Sequence, residues 1–331
     1  MDLNHDTAEK IYKEIKNGSS ISEIKDKFNL SDTELDGLIY FLNIHGKRLI
    51  IDKDDNDTPC FFKQTIRKTN KIIKPNKEDL ICTKLYLISD THFGNNKQQL
   101  HLVNDIYRKA YENEISDILH CGDIVDGDYT DIRKEQARNI FLYGFDEQAG
   151  YVADMYPEVS GITTHYILGS HDETHYKRNK ATINFFLDHT RKDMKFLGQD
   201  YGEITINNVR YALDHPGDGS SYGLSYKPQK RIEELESGLK PGILAIGHYH
   251  KSYYFAYRNV RGILVPCLCG KTQFQQKKGL KNIVGYYELT IYSDNKGNIQ
   301  YFNAKDILYN ENELWDEVGK DAKKVKRLVI K

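Results

Sequence analysis

Apolar residues follow two rhythms along this chain. Through residues 7–65 they recur every three or four positions, which predicts short amphipathic helices. The first is expected over Ala8–Lys16, with Ile11 and Ile15 one turn apart and Asn17-Gly18 ending it. Ser20 with Glu23, and Ser31 with Glu34, have capping-box spacing, so each pair opens a further helix. Ile21, Ile24 and Phe28 mark the inner face of the second helix. Leu35, Leu38, Ile39 and Leu42 mark that of the third, which Gly46 ends. Arg48–Ile51 and Cys60–Phe62 then read as two strands around the turn-rich stretch Asp52–Pro59.

From Lys84 onward, short continuous apolar runs alternate with helical stretches, a β/α pattern. Strands are expected at Leu85–Ile88, Ile118–Cys121, His165–Leu168, Glu203–Ile206, Val209–Leu213, Ile243–Ile246, Gly262–Cys267 and Val284–Ile291. Helices are expected at Leu100–Glu114 and Ala181–His189. Between the two textures, Arg67, Lys68, Lys71, Lys74 and Lys77 make a basic linker broken by Pro75. The tail from Asn312 reads as a helix ending in Lys320, Lys323, Lys324, Lys326 and Arg327. The division is therefore residues 1–65, a linker over 66–83, an α/β domain over 84–308 and a basic tail over 309–331.

Length agrees with two domains: 331 residues is long for one. With 39% hydrophobic and 29% charged residues a sizeable core can form. A net charge of −1 excludes bulk attraction to a polyanion, so nucleic acid would have to meet a local patch. Cys60, Cys82, Cys121, Cys267 and Cys269 show no zinc-knuckle spacing and suit a reducing, cytoplasmic setting. The polar, acidic N-terminus is no signal peptide, and no apolar run approaches membrane-spanning length.

Five short blocks follow the apolar runs. They are Ser89-Asp90-Thr91-His92, Gly122-Asp123-Ile124-Val125-Asp126, Gly169-Ser170-His171-Asp172, Asp214-His215-Pro216 and Gly247-His248-Tyr249-His250. Asp90 with His92, and His248 with His250, have the i, i+2 spacing that projects two side chains to one side of an extended chain. Asp123 follows a glycine that lets the backbone turn sharply, and its two oxygens suit it to bridge two cations. Asp126 is read as a cap or a support for a ligand. Carboxylates and imidazoles delivered from several strand ends build a two-metal site for phosphate chemistry.

In this order the blocks resemble the calcineurin-like metallophosphoesterases, over roughly residues 84–305. The resemblance implies a four-layer α/β/β/α sandwich. It implies one ion held by Asp90, His92, Asp123 and His250, and another held by Asp123, Ser170, His215 and His248. His171 would stand by the leaving oxygen or the phosphate, and Asp172 would orient His171. A metal-bridging hydroxide would attack phosphorus, with Mn²⁺ the favoured ion and Fe or Zn²⁺ the alternatives. The family pattern has Asn at position 170. The neutral, shorter Ser170 hydroxyl implies a second ion held more loosely.

Gly127 after Asp126, and Asp172 in place of Glu, differ from the protein-phosphatase pattern and look more like phosphodiesterases and SbcD-type DNA nucleases. Hydrolysis of phosphodiester bonds in DNA is therefore expected. A small cyclic nucleotide as substrate, and a non-catalytic scaffold, are the alternatives. His175, Lys271, Lys277 and Lys278 are candidate substrate contacts. The N-terminal helices and β-ribbon resemble a winged helix-turn-helix module. Its third helix starts acidic, at Asp32 and Glu34, so DNA binding and protein docking both stay open for it. Expected partners are nucleic acid, with a docked protein (an ATPase, as SbcD-type enzymes commonly have) and self-association as alternatives, and no membrane.

Overall fold

A computed structural model describes residues 5–47, 49–53, 59–63, 80–129, 136–219, 221–236, 238–319 and 323–331. The chain divides into two compact units, residues 1–75 and 76–331.

In the first unit, helices α1 (His5–Lys16), α2 (Ile21–Phe28) and α3 (Asp32–Ile44) precede the antiparallel pair β1 (Leu49–Lys53) and β2 (Pro59–Lys63). Both capping boxes form: Glu23 N–H donates to Ser20 Oγ at 3.2 Å, and Ser20 N–H to Glu23 Oε2 at 2.8 Å. The Ser31–Glu34 pair repeats this on α3. Such caps contribute about 1 kcal/mol each. Ala8, Ile11, Ile24, Leu35, Leu38 and Leu42 close a small core. Asn43 pins the entry to β1 with both amide atoms on the Leu49 backbone.

The second unit runs β3 (Ile81–Ile88), α4 (Leu100–Glu112), β4 (Asp117–His120), α5 (Gly144–Met155), β5 (Glu158–Val159), β6 (Thr163–Leu168), α6 (Glu173–Asn179) and α7 (Ile183–Thr190). It continues through β7 (Met194–Gln199), β8 (Tyr201–Ile206), β9 (Val209–Asp214), α8 (Tyr226–Glu234), β10 (Ile243–Ile246), β11 (Tyr253–Tyr257) and β12 (Val260–Leu264). It ends with α9 (Gln273–Lys277), β13 (Gly285–Ser293), β14 (Ile299–Leu308) and β15 (Val329–Ile330).

Two mixed sheets result. One has the order β14-β13-β3-β4-β6-β7, with β3, β4, β6 and β7 parallel. The other has the order β11-β12-β10-β9-β8, with β9, β10 and β12 parallel. Strand alternation sorts the side chains into layers. Leu85 and Leu87 face Val209, Leu213, Ile243 and Ile263 in the core between the sheets. Tyr86 and Ile88 face away, onto Val103 and Ile106 of α4, Val152 of α5 and Leu187 of α7. Ile232 of α8 covers the outer face of the second sheet against Ala212, Leu244 and Ile246. The product is an α/β sandwich with helices outside both sheets.

The tail differs from the expected helix. Among the described residues it is a single 3-10 turn at Glu311–Glu313, extended chain, and β15 paired with β5. Tertiary contacts outweigh helix propensity here. Glu317 accepts the Leu100 and His101 N–H groups at the start of α4, at 3.1 and 2.9 Å. Leu328 and Ile330 pack on the helix-side core. Of the expected linker, residues 66–79 lie outside the described residues; the rest, from Ile81, opens β3.

Candidate metal centre

Every block lies just beyond the C-terminal end of a parallel strand: β3, β4, β6, β9 and β10. In open α/β sheets that end is where ligands bind. Cross-links tie the loops into one surface. Asp90 N–H donates to Gly122 O at 3.0 Å, His92 N–H to Asp123 O at 3.1 Å, and Gly247 N–H to Asp214 O at 3.0 Å.

The backbone that carries the ligands is not extended, contrary to the i, i+2 argument. Asp90, His92, Asp123, His248 and His250 have φ of 53°, 45°, 55°, 70° and 50°. Left-handed backbone outside glycine costs on the order of 1–3 kcal/mol per residue where nothing local favours it. The spacing still converges the side chains, but by alternating left-handed residues. Three glycines let the loops close on one another. A Cβ at Gly169 would lie 2.3 Å from Asp123 Oδ1, one at Gly122 2.5 Å from His215 Nδ1, and one at Gly247 2.4 Å from Cys121 O.

Hydrogen bonds fix the imidazole tautomers. His215 Nδ1 donates to Cys121 O at 2.6 Å, His250 Nδ1 to Asn282 Oδ1 at 2.7 Å, and His171 Nδ1 to Asp126 O at 2.7 Å. The Nε2 atoms are left facing acids: His215 Nε2 is 3.0 Å from Asp123 Oδ2, and His250 Nε2 is 3.1 Å from Asp90 Oδ1. His215 Nε2 is buried without a hydrogen-bond partner among the described residues. A lone pair aimed at a carboxylate is repulsive unless a proton or a cation lies between them. Among the described residues, three groups have ligand atoms within 4.8 Å of one another: Asp90-His92-His250, His92-Asp126-His171 and Asp123-His215-His248. Carboxylate with imidazole suits divalent Mn, Fe or Zn, so the donor set fits the expected metals.

Electrostatics agree. Burial pushes the Asp90 and Asp123 carboxyls up, but the charges of His250 and His215 outweigh it and hold both below their ordinary range. Burial lowers His92 and His215, yet Asp126 and Asp90 raise the first to about 10 and Asp123 raises the second to about 9. Burial, with His215 beside it, drives His248 down to about 4. Cations and protons therefore compete for the same atoms.

One role expected from sequence changes, and the expected support from Asp126 takes a definite form. Asp172 does not reach the His171 ring. Its oxygens accept backbone N–H groups from Ile124, Val125 and Gly169 at 3.2, 2.9 and 2.9 Å, so it ties two ligand loops together. Burial, then the Asp123 charge, raises its carboxyl to about 7. The Asp126 carbonyl orients His171 instead, and Asp126 Oδ1 lies 3.3 Å from His92 Nδ1. Asp126 thus belongs to the centre. Ser170 sits in the β6 loop between them, its carbonyl accepting from Tyr129 OH at 2.9 Å.

A cleft of about 700 Å³ opens over these residues, lined by His92, Asp123, His171, His248 and His250. His175 is not in it: buried behind the loop, it contacts Gln148 Oε1 at 3.0 Å. Lys271, Lys277 and Lys278 do not line it either, because the α9 segment turns Thr272, Phe274, Gln275, Leu280 and Lys281 inward. Lys281, from the basic run that follows Gly270, does line the cleft, and so does Lys251, which sequence reasoning missed. It also missed Gln275, whose amide nitrogen lies 2.9 Å from His250 Nδ1 and 3.2 Å from Asn282 Oδ1. Thr272 with Gln275 is a capping box, and that spacing was the available signal.

Solved structures similar to the chain include a novel archaeal phosphodiesterase (15% identity, TM-score 0.38, covering 69% of this chain and 100% of that one). Another is Vps29 of Entamoeba histolytica complexed with zinc (12%, TM-score 0.34, 69% and 100%). A third is a 5′-nucleotidase precursor of Thermus thermophilus (11%, TM-score 0.36, 69% and 54%). No curated protein sequence matches. Residues 83–285, spanning every block above, match the calcineurin-like phosphoesterase family. The chain belongs to that family and is a metal-dependent phosphoesterase.

Proposed function

We propose that this phosphoesterase cleaves phosphodiester bonds in nucleic acid, on the SbcD-like side of the family. One ion would be held by Asp90, His92, Asp123 and His250, the other by Asp123, Ser170, His215 and His248. Two bound divalent cations supply an acidified water and neutralise phosphoryl charge. The protein's own part is positional. Asp123 orients its two oxygens through the His171 N–H, at 2.8 Å, and His215. His171, its Nδ1 held by Asp126, presents Nε2 as the atom that exchanges a proton with the ester oxygen. Lys251 and Lys281 attract the flanking phosphates. The observation that carries this reading is that five left-handed residues supply ligand atoms to clustered metal-binding groups, four of them lining one cleft.

A small phosphoester is the second reading, favoured by the cleft volume of about 700 Å³, which suits a single nucleotide. Assaying Mn²⁺-loaded protein on single- and double-stranded DNA, bis-p-nitrophenyl phosphate and cyclic nucleotides separates the two. Turnover of small esters alone would overturn the nuclease reading, and inactivity on all would leave a scaffold. Ser170 is read as the weaker ligand. Metal analysis should find fuller second-ion occupancy in Ser170→Asn, and equal two-ion occupancy in both proteins overturns that assignment.

We read residues 1–65 as a winged-helix-like module joined by the 66–83 linker. Exposed Tyr40 and Ile44 towards the end of α3, with acidic Asp32 and Glu34 in its first turn, favour a protein partner over DNA. We read the location as cytoplasmic, a reading the free thiols support. Among the described residues no helix is long and apolar enough to cross a membrane.

A further inference from the structure

The other end of the second sheet holds a concavity that phosphoester hydrolysis does not use. Three turns gather there: Asn207-Asn208 between β8 and β9, Arg258-Asn259 between β11 and β12, and Asp294–Asn298 between β13 and β14. The first two pairs have φ of 48° and 65°, and of 47° and 65°, as tight hairpin turns require. Gly297 closes the ring against the Asn208 carbonyl, which a Cβ there would approach to 1.9 Å. Arg210 is the second residue of the strand that His215 follows, so the two lie roughly 16 Å apart along it.

The enclosed space is about 870 Å³. Arg210, Lys240, Arg258 and Arg261 line it, and no described Asp or Glu does. Neutralisation is partial. Arg258 Nη2 lies 3.3 Å from Glu233, and Arg210 Nε 3.3 Å from Glu203. Arg210 Nη2 is buried and has no hydrogen-bond partner among the described residues. Arg261 stacks its guanidinium 5.4 Å over the Phe302 ring. Four cations in one concavity repel one another, and a buried guanidinium N–H needs an acceptor. A phosphate meets both demands, because its oxygens match the guanidinium fork. Tyr254 at the rim, stacked on Phe302 at 5.5 Å, is 43% exposed and leaves an aromatic face for a base.

We propose that this pocket is a second binding site, separate from the metal centre, for the phosphate and base of a nucleotide, free or within a strand. It does not depend on which ester the metal centre cleaves. The test uses full-length Mn²⁺-loaded protein with radiolabelled AMP and a fluorescent phosphorothioate dT12 as probes. Arg210→Gln/Arg261→Gln should weaken binding of at least one probe about tenfold or more, the scale of one charge-assisted hydrogen bond. Bis-p-nitrophenyl phosphate turnover should stay within about twofold, since no substituted residue lines the hydrolytic cleft. Loss for AMP identifies a free nucleotide as ligand; loss for dT12 alone identifies a strand. Unchanged affinity for both probes in a folded variant overturns the proposal, and so does a parallel loss of hydrolysis. If that variant fails to fold, Lys240→Gln/Arg258→Asn takes its place with the same expectations.

Discussion

The two ends of the second sheet and its neighbours use the same unusual backbone for different ends. At the N-terminal end, left-handed residues are Asn207, Asn208, Arg258 and Asn259, in two-residue hairpins where that geometry matches the strand twist. At the C-terminal end they are the ligand-loop residues Asp90, His92, Asp123, His248 and His250, in no hairpin, beside Asp200 in the one-residue turn from β7 to β8. A turn explains the first set without appeal to function. The second set has no such local cause, and what it shares is that its side chains supply the clustered carboxylate and imidazole atoms of the metal centre. Strain is informative where the local sequence does not ask for it.

The contrast breaks hardest at Asp123, which meets His215 with one oxygen and the His171 N–H with the other. Asp123→Ala should cut bis-p-nitrophenyl phosphate turnover on the order of 10³-fold, the scale of losing one electrostatic contact of the transition state. Circular dichroism should show the fold retained. Wild-type turnover in this variant would refute the proposed centre.

A matched pair of glycine substitutions sharpens the comparison. At Gly169 a methyl group would lie 2.3 Å from Asp123 Oδ1; at Gly297 it would lie 1.9 Å from Asn208 O. Gly169→Ala should displace Asp123 and lower kcat/KM roughly 10²-fold, as an ångström-scale misplacement does. Gly297→Ala, also strained at φ 80°, should lower stability by roughly 1–3 kcal/mol and leave kcat alone. Equal kinetic damage from both would dissolve the distinction between the ends.

A smaller loss is expected from Asn282→Ala. It removes the acceptor that holds the proton on His250 Nδ1, while the ring itself remains. Mn²⁺ affinity, read by titration calorimetry, should fall about 10- to 100-fold, the usual cost of losing a ligand's supporting partner. Because raised His92 and His215 bind protons in the ion's place, affinity should also rise with pH up to about 9 to 10. Affinity independent of pH would show that those nitrogens are not ligands.

The blocks were legible in sequence because each is short and sits directly beyond an apolar run, so strand ends alone bring them together. Layering was legible too, from alternation such as Leu85, Tyr86, Leu87 and Ile88. What escaped depends on contacts distant in the chain. Strand β14 pairs as an edge, with apolar and polar residues falling in no strict alternation and none fully buried, so no pattern marks it. The tail's backbone partners, β5 and α4, lie more than a hundred residues away. The family resemblance made Asp172 a ring-orienting acid, yet its oxygens reach loop 124–125. Lys251, unremarkable in sequence, joins Lys281 in the cleft only through the fold of residues 271–282.

The smallest effect tests the quiet side of the comparison. Asn208 is exposed at φ 65°, a conformation glycine adopts without strain. Its contact with Gly297 runs through the backbone carbonyl, which survives substitution. Glycine frees the unfolded chain and relieves the turn, two terms of opposite sign. Asn208→Gly should therefore shift stability by less than about 0.5 kcal/mol and leave hydrolysis unchanged. The same exchange at His248, φ 70°, relieves the backbone equally but removes a ligand nitrogen from beside His215. His248→Gly should then gain or hold melting temperature while losing metal and turnover. A His248→Gly protein that melted lower and still hydrolysed normally would mean the left-handed backbone there serves packing, and that the two ends of the sheet do not differ after all.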